Sequence, residues 1–354
     1  MIRKTLAPAV SAALAAALLF GASTPIAKQL LRDIPAVLLA GLLYLGSGLG
    51  LGAARLLRDG GWRAPALARR EWLWLLLAIG FGGVLGPVLL MVGLARTPAA
   101  TASLLLNLEA VATALIAWVV FRENTDRRVV LGMALIVGGA LMLAGRGAPR
   151  APGFGWGAPL IALACLCWAL DNNLTRKVSA SDALFLAALK GLIAGVVNTA
   201  LALYLGARLP ATEGILETMT VGLFGYGISL VLFVVALRGL GAARTGAYFS
   251  TAPFLGAAIA VLAFGERPSG AFWLAAVLMG TGVWLHLQER HDHVHTHRGD
   301  THTHRHRHDD HHRHSHDFDW DGLEPHAHEH THALLTHDHP HYPDIHHQHD
   351  HDRR

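Results

Sequence analysis

Cysteine is nearly missing from this chain. Its two copies among 354 residues, Cys165 and Cys167, stand at i and i+2 inside an apolar run. On a helix those positions point to different sides, which suits neither a mutual disulfide nor a shared metal ion. They read as small residues of a packed helix. Histidine and acidic side chains are also scarce over most of the length. Residues 1–289 contain one histidine, His286, and 12 Asp and Glu against 22 Lys and Arg. No HExxH pair, nucleophile elbow or phosphate loop occurs, so no enzyme chemistry is expected. The arginines sit in short loops between apolar runs and do not form a basic stripe. That is the charge pattern of a membrane protein and argues against a nucleic-acid partner.

Apolar runs fill the chain instead. A helix needs about 20 apolar residues to cross a ~30 Å hydrocarbon core. Ten such runs occupy approximately residues 6–24, 35–57, 72–95, 99–121, 128–145, 156–175, 183–205, 215–237, 242–264 and 270–288. The loops between them are short, so successive helices are antiparallel neighbours, and elements apolar on every face belong in lipid. The expected fold class is all-α, a polytopic membrane protein of ten transmembrane helices. The first run begins like a signal peptide, with basic residues, an apolar centre and small residues near Ala22. It nevertheless continues into TPIAKQLL and has a counterpart in CLCWALDNNLTRKV, with Phe20 on Trp168 and Lys28 on Arg176. It therefore reads as a retained first span.

A repeat organises the rest. Residues 99–143 return without a gap 143 positions later as residues 242–286, with Ala99 on Ala242, Ala100 on Ala243, Phe121 on Phe264 and Glu123 on Glu266. The units expected are residues 1–145 (spans one to five), 146–289 (spans six to ten) and a tail, 290–354. Five spans per half is an odd number, so the second half enters the membrane upside down relative to the first, an architecture that places substrate near the midplane. With the N-terminus cytoplasmic, fourteen Lys and Arg fall on the cytoplasmic side against seven opposite, which orients both termini inward in an inner-membrane setting. Gly46, Gly48, Gly50 and Gly52 form small-residue ridges for close helix packing. Glu123 and Glu266 recur at matching helix ends and read as architectural.

The paired endings FRE and FGE, the NLEAV core and the stretch TAPFLGAAIAVLAFGE resemble the drug/metabolite transporter superfamily. Within it they are most similar to ten-helix permeases built from two EamA-type repeats. The resemblance covers roughly residues 6–288. It implies a small-molecule transporter without naming its substrate. In that family a proline often follows the acidic residue of the fourth span. Here Ala110 follows Glu109, while Ala252-Pro253 keeps the proline in the second half, which implies a less kinked first half. The tail lies outside the family pattern.

Polar groups at membrane depth cost roughly 2.5–3.5 kcal/mol per charge on insertion scales, so they mark candidate sites. Glu109, at the middle of the fourth span with Asn107 two residues before it, reads as a proton or substrate-amine site. Asp171, Asn172 and Asn173 fan around the end of the sixth span, where at least one faces inward. Lys190 has apolar neighbours for six residues before it and seven after it. Either Glu109 or Asp171 is a suitable counter-ion for it. Asn198, Tyr226, Ser229, Tyr248 and Ser250 are weaker cavity candidates; Tyr248 and Ser250, at the repeat positions of Leu105 and Asn107, complete the substrate set.

The tail is chemically separate. Residues 290–354 hold 23 histidines, 13 Asp and Glu and 7 Arg. His-x-His spacing recurs at His302, His304, His306 and His308, at His312, His314 and His316, and at His326, His328, His330 and His332. On an extended segment i and i+2 share a face, and imidazole suits Zn, Ni, Cu and Co. So few apolar residues build no core, and the tail is expected to be disordered without metal. No cofactor is expected for transport itself. Expected partners are membrane lipid, a small-molecule substrate, metal ions at the tail and a second copy of the chain. The leading expectation is a secondary transporter exporting a small metabolite by alternating access. The alternatives are a Ni, Co or Zn transporter fed by the tail, and a non-transporting metal sensor or store.

Overall fold

The computed structural model describes residues 3–60, 68–120, 126–146, 154–175, 178, 182–287, 294–297, 301–306, 326–331 and 335–338. Its first half runs α1 (Arg3–Leu30), α2 (Ala36–Asp59), α3 (Arg69–Ala78), a π-helical segment (Ile79–Leu85), α4 (Gly86–Ala95), α5 (Ala99–Leu105), α6 (Leu108–Val120) and α7 (Arg127–Arg146). The second runs α8 (Gly157–Thr175), α9 (Ala183–Tyr204), α10 (Thr212–Gly222), another π-helical segment (Leu223–Ile228), α11 (Ser229–Phe249), α12 (Ala252–Leu262) and α13 (Gly270–Leu287). Joined end to end, these give nine stretches among the described residues that are long and apolar enough to span a membrane. A tenth, Gly270–Leu285, is apolar but shorter. The described secondary structure of residues 3–287 is all helix and turn, with exposed Leu141, Val119 and Val277 on the outer faces.

Local chemistry sets the element ends. Pro35 and Pro98 occupy the N-cap positions of α2 and α5, where a missing N–H costs nothing. Gly60, at φ 63°, closes α2 in the left-handed region that only glycine enters freely. α11 is not straight: Phe233 and Phe249 lie sixteen positions apart, yet their ring centroids are 4.9 Å apart. A straight helix would separate them by about 24 Å, so the chain doubles back between them.

The main helix pairs all join the two halves. α2 lies along α9 and α7 along α13. α1 packs on α11, α12 and the second π segment, while α8 packs on α4, α6 and the first π segment. Hydrocarbon offers helices no hydrophobic drive to associate, so such pairs depend on close backbone approach. At the α2–α9 crossing a Cβ on Gly191 would fall 2.7 Å from Cα of Gly48. Gly191→Val is therefore expected to destabilise the bundle by about 1–3 kcal/mol. Gly52→Ala, which has nothing within 4 Å of the added carbon, serves as the silent control when thermal unfolding is compared in detergent.

Irregularities recur at the repeat spacing. The N–H just after each π segment reaches back five residues, Gly86 to the Phe81 carbonyl and Ser229 to the Phe224 carbonyl. The fourth span breaks at Leu106–Asn107 between α5 and α6, and the ninth breaks at Ser250–Thr251 between α11 and α12. Asn107 Nδ2 donates to the Leu104 carbonyl at 2.8 Å, and Ser250 Oγ donates to the Ala247 carbonyl at 2.8 Å. The reading of a less kinked first half is thereby corrected. A side chain that competes for the carbonyl three residues back opens the helix there without proline.

Among the described residues, four short strands follow the bundle: β1 (Val294–His297), β2 (Thr301–His306), β3 (His326–Thr331) and β4 (Leu335–Asp338). β1 pairs antiparallel with β4, and β2 with β3. These stretches of the tail were expected to be disordered without metal, yet they lie in paired ladders. His308, His312, His314, His316, His332, Arg176 and Glu123 fall outside the described residues.

Candidate functional site

Glu109 stands in the first turn of α6, directly after the break, and its half-buried carboxylate accepts from Asn172 Nδ2 of α8 at 2.9 Å. One residue earlier on α8, Asp171 is 6% exposed. Lys190 of α9 donates to both its oxygens, at 2.6 and 2.7 Å, and Thr175 Oγ1 adds a bond of 3.0 Å. Of the two counter-ions open to Lys190 from the sequence, the geometry selects Asp171. Both members of the pair are largely withdrawn from solvent, the lysine side chain 21% exposed and the aspartate 9%.

The first π segment makes this arrangement possible. A Cβ on Gly82 would occupy the space taken by the Asp171 carboxyl. The wide turn also frees carbonyls. That of Gly82 accepts from Tyr44 Oη and Trp168 Nε1, each at 3.0 Å, and that of Gly83 accepts from Asn198 Nδ2 at 3.2 Å. Such single-turn π bulges inside α-helices are frequent at functional sites. From Tyr44 an aromatic row continues to Tyr226 (centroids 5.5 Å), to Phe20 (6.0 Å) and to Phe249 (5.4 Å). Polar groups from α6, α8 and α9 thus adjoin aromatic rings from α2, the second π segment, α1 and α11. Tyr44 was not singled out from sequence. It sits in an apolar run, and only the opened carbonyl of Gly82 gives its hydroxyl a role.

The other expected residues scatter. Asn107 is buried and turned to its own helix. Asn173 is buried and donates to the Ala169 carbonyl at 2.8 Å. Ser250 closes the second break. Tyr248 packs beside Ala12, Ala13 and Ala236, apart from the Asp171–Lys190 pair. Ser229 Oγ bonds the Ala16 carbonyl at 2.9 Å, fixing α11 to α1. Cys165 and Cys167 are free and buried, and Cys165 Sγ lies 3.7 Å from the Leu105 carbonyl at the break.

Charged groups at the span ends hold the frame. Lys28 Nζ caps the last carbonyls of α4, Leu94 at 2.6 Å and Ala95 at 3.1 Å. Asp182 is the N-cap of α9. It accepts from the Phe185 N–H at 2.9 Å and from Arg58 Nη2 at 2.7 Å. Burial pushes its pKa up, but the Phe185 amide, Arg58 and Arg55 outweigh that and hold it below the ordinary aspartate range. A depressed carboxylate contributes stability that is fully present above its unfolded pKa and is lost as pH falls through the folded value. Asp182→Asn is therefore expected to lower the melting temperature at pH 7, with the gap from wild type closing only below about pH 4. Thermal unfolding of both proteins between pH 7 and 3 measures this.

The sequence profile of the EamA-like transporter family matches twice, over residues 7–145 and 155–288. The chain belongs to the EamA-like transporter family. It is 28% identical over 291 residues to an uncharacterized transporter of Methanothermobacter thermautotrophicus, covering 76% of this chain and 83% of the relative. It is 26% identical over 284 residues to the uncharacterized inner membrane transporter YedA of Escherichia coli strain K12, covering 77% and 88%. A shorter match, 43% over 75 residues, covers 21% of this chain and 63% of a probable 4-amino-4-deoxy-L-arabinose-phosphoundecaprenol flippase subunit, ArnE, of Pseudomonas fluorescens. A crystal structure at 22% identity superposes with a TM-score of 0.58 over 78% of this chain and 95% of the other, a likeness of fold. EamA-like proteins of this kind are membrane transporters, and this one is a multi-pass membrane protein.

Proposed function

We propose that this EamA-like protein is a secondary transporter that exports a small amphipathic metabolite bearing an amine, by alternating access between its two halves. The observation that carries the reading is the continuity of Glu109–Asn172 and Asp171–Lys190 with the aromatic row Tyr44, Tyr226 and Phe20. A carboxylate and amide suit an ammonium group, and the rings suit an apolar body and add cation–π attraction. The positions lie where the halves meet, beside two helix breaks and two π segments that recur at the repeat spacing, as expected for inverted repeats rocking about a central site. ArnE, by its name, serves an amino-sugar carried on a lipid, a molecule of the same amphipathic kind. In this reading both termini are cytoplasmic and the histidine tail binds transition metal as a buffer or regulator.

The reading favours a metabolite over a metal ion as cargo. Among the described residues of the membrane body no group of three or more His, Cys, Asp or Glu is placed to hold a metal, whereas a selective metal path offers several such ligands. Flux into proteoliposomes tests this with amino acids, aromatic amines, an amino-sugar lipid, Zn²⁺ and Ni²⁺, using full-length and tail-deleted protein. Amine flux that survives tail deletion and falls at least about tenfold in Glu109→Gln supports the proposal. Metal flux abolished by Glu109→Gln and indifferent to amines overturns it.

A further inference from the structure

The tail carries a second chemistry, and the strand register makes it more specific than its composition. In the β2–β3 ladder His302 faces His330, His304 faces His328 and His306 faces His326. Alternate residues share a face of a strand, and directly opposed residues share the same face of the pair. The other face receives Thr301 with Thr331, Thr303 with Glu329 and Arg305 with Ala327. All six histidines therefore belong to one face of the ribbon, in three facing pairs. The β1–β4 ladder keeps the same register, with His295 facing His337.

We infer that the β2–β3 ribbon is a divalent transition-metal site whose chelating unit is the cross-strand histidine pair. This rests on the proposed reading of the tail as metal-binding and deepens it. A lone His-x-His run places its ligands about 7 Å apart along one strand, whereas facing residues stand with Cα atoms about 4.5–5.5 Å apart. Two consecutive facing pairs supply four imidazoles, the number a tetrahedral Zn²⁺ takes. Imidazole without thiolate admits Zn²⁺, Ni²⁺, Co²⁺ and Cu²⁺ and excludes Mg²⁺ and Ca²⁺, which take oxygen ligands. Facing ligands 20 to 28 residues apart in sequence also make metal binding a clasp. The ion closes the loop between the two strands and stabilises their pairing, so binding and folding of this segment are linked.

The test uses the full chain purified without a histidine tag, in a background where every tail histidine outside β2 and β3 is asparagine. Zn²⁺ and Ni²⁺ are titrated by calorimetry, and bound metal is counted by mass spectrometry. His304→Asn and His328→Asn are each expected to weaken binding about tenfold, with the double variant no weaker than either alone. His302→Asn with His326→Asn, which belong to different pairs, are expected to multiply their losses. Independent losses in both combinations overturn the cross-strand pair. Saturable binding by the unmodified tail but not by the six-histidine background overturns the ribbon and leaves a metal-binding tail. No binding by either protein, relative to the tail-deleted chain, overturns both.

Discussion

Replacing Lys190 by alanine is expected to cost about 3–5 kcal/mol of stability, because it strands a buried carboxylate. Asp171 is 6% exposed and lies against the bare Cα of Gly82, so no side chain can move in from that direction. The remaining side-chain bond to its carboxylate among the described residues is the Thr175 hydroxyl at 3.0 Å. Thermal unfolding and folded yield in detergent give the loss for Lys190→Ala. The variant carrying both Asp171→Leu and Lys190→Leu separates architecture from function. An ion pair removed as a unit and replaced by apolar groups is close to neutral, so the double variant is expected to recover most of the melting temperature. If the pair belongs to the substrate site, its flux stays lost. Recovery of flux with stability would make the pair a strut, and an unchanged melting temperature in Lys190→Ala would refute the buried-pair account.

The bundle was legible because long apolar runs and loop charge leave few alternatives in lipid, and the repeat at a spacing of 143 follows from residue identity alone. The irregular backbone was not legible. Both π segments are built from sequence, IGFGGVL and LFGYGI, that a helix of ordinary pitch would also accept. Nothing in that composition announces the carbonyls they free. The break before Glu109 is hidden from a reading that looks for proline, because Asn107 and Ser250 act through side-chain bonds to carbonyls three residues back. Polar residues at membrane depth were found by their cost, but cost does not say which partner relieves it. Asn172 and Asp171 are adjacent in sequence, yet one turns to Glu109 and the other to Lys190. In the tail, His-x-His spacing was visible, while the facing of His304 and His328 depends on a register that no local pattern encodes.

Loss of the Glu266 carboxylate is expected to be the next most damaging change. Glu266 follows Gly265, whose φ of 69° turns the chain after α12 back toward the first half. There its two oxygens accept from the N–H groups of Ala99 at 2.7 Å and Ala100 at 2.8 Å. Those amides open α5 and, as the first residues of the helix, have no carbonyl of their own helix to meet. Each bond is charge-assisted, and the carboxylate also faces the positive end of the helix. Its partial exposure reduces these contributions, and Glu266→Ala is expected to cost about 2–3 kcal/mol. Glu266→Gln keeps one acceptor oxygen and should lose about half as much. Because Glu123, Ala242 and Ala243 occupy the matching repeat positions, Glu123→Ala is expected to cost a similar amount if the halves are equivalent at their ends. Melting temperatures of the three variants decide this. A silent Glu266→Ala would show that the bonds at α5 do not stabilise the frame, and a silent Glu123→Ala alone would show that the second half is held at that end by other groups.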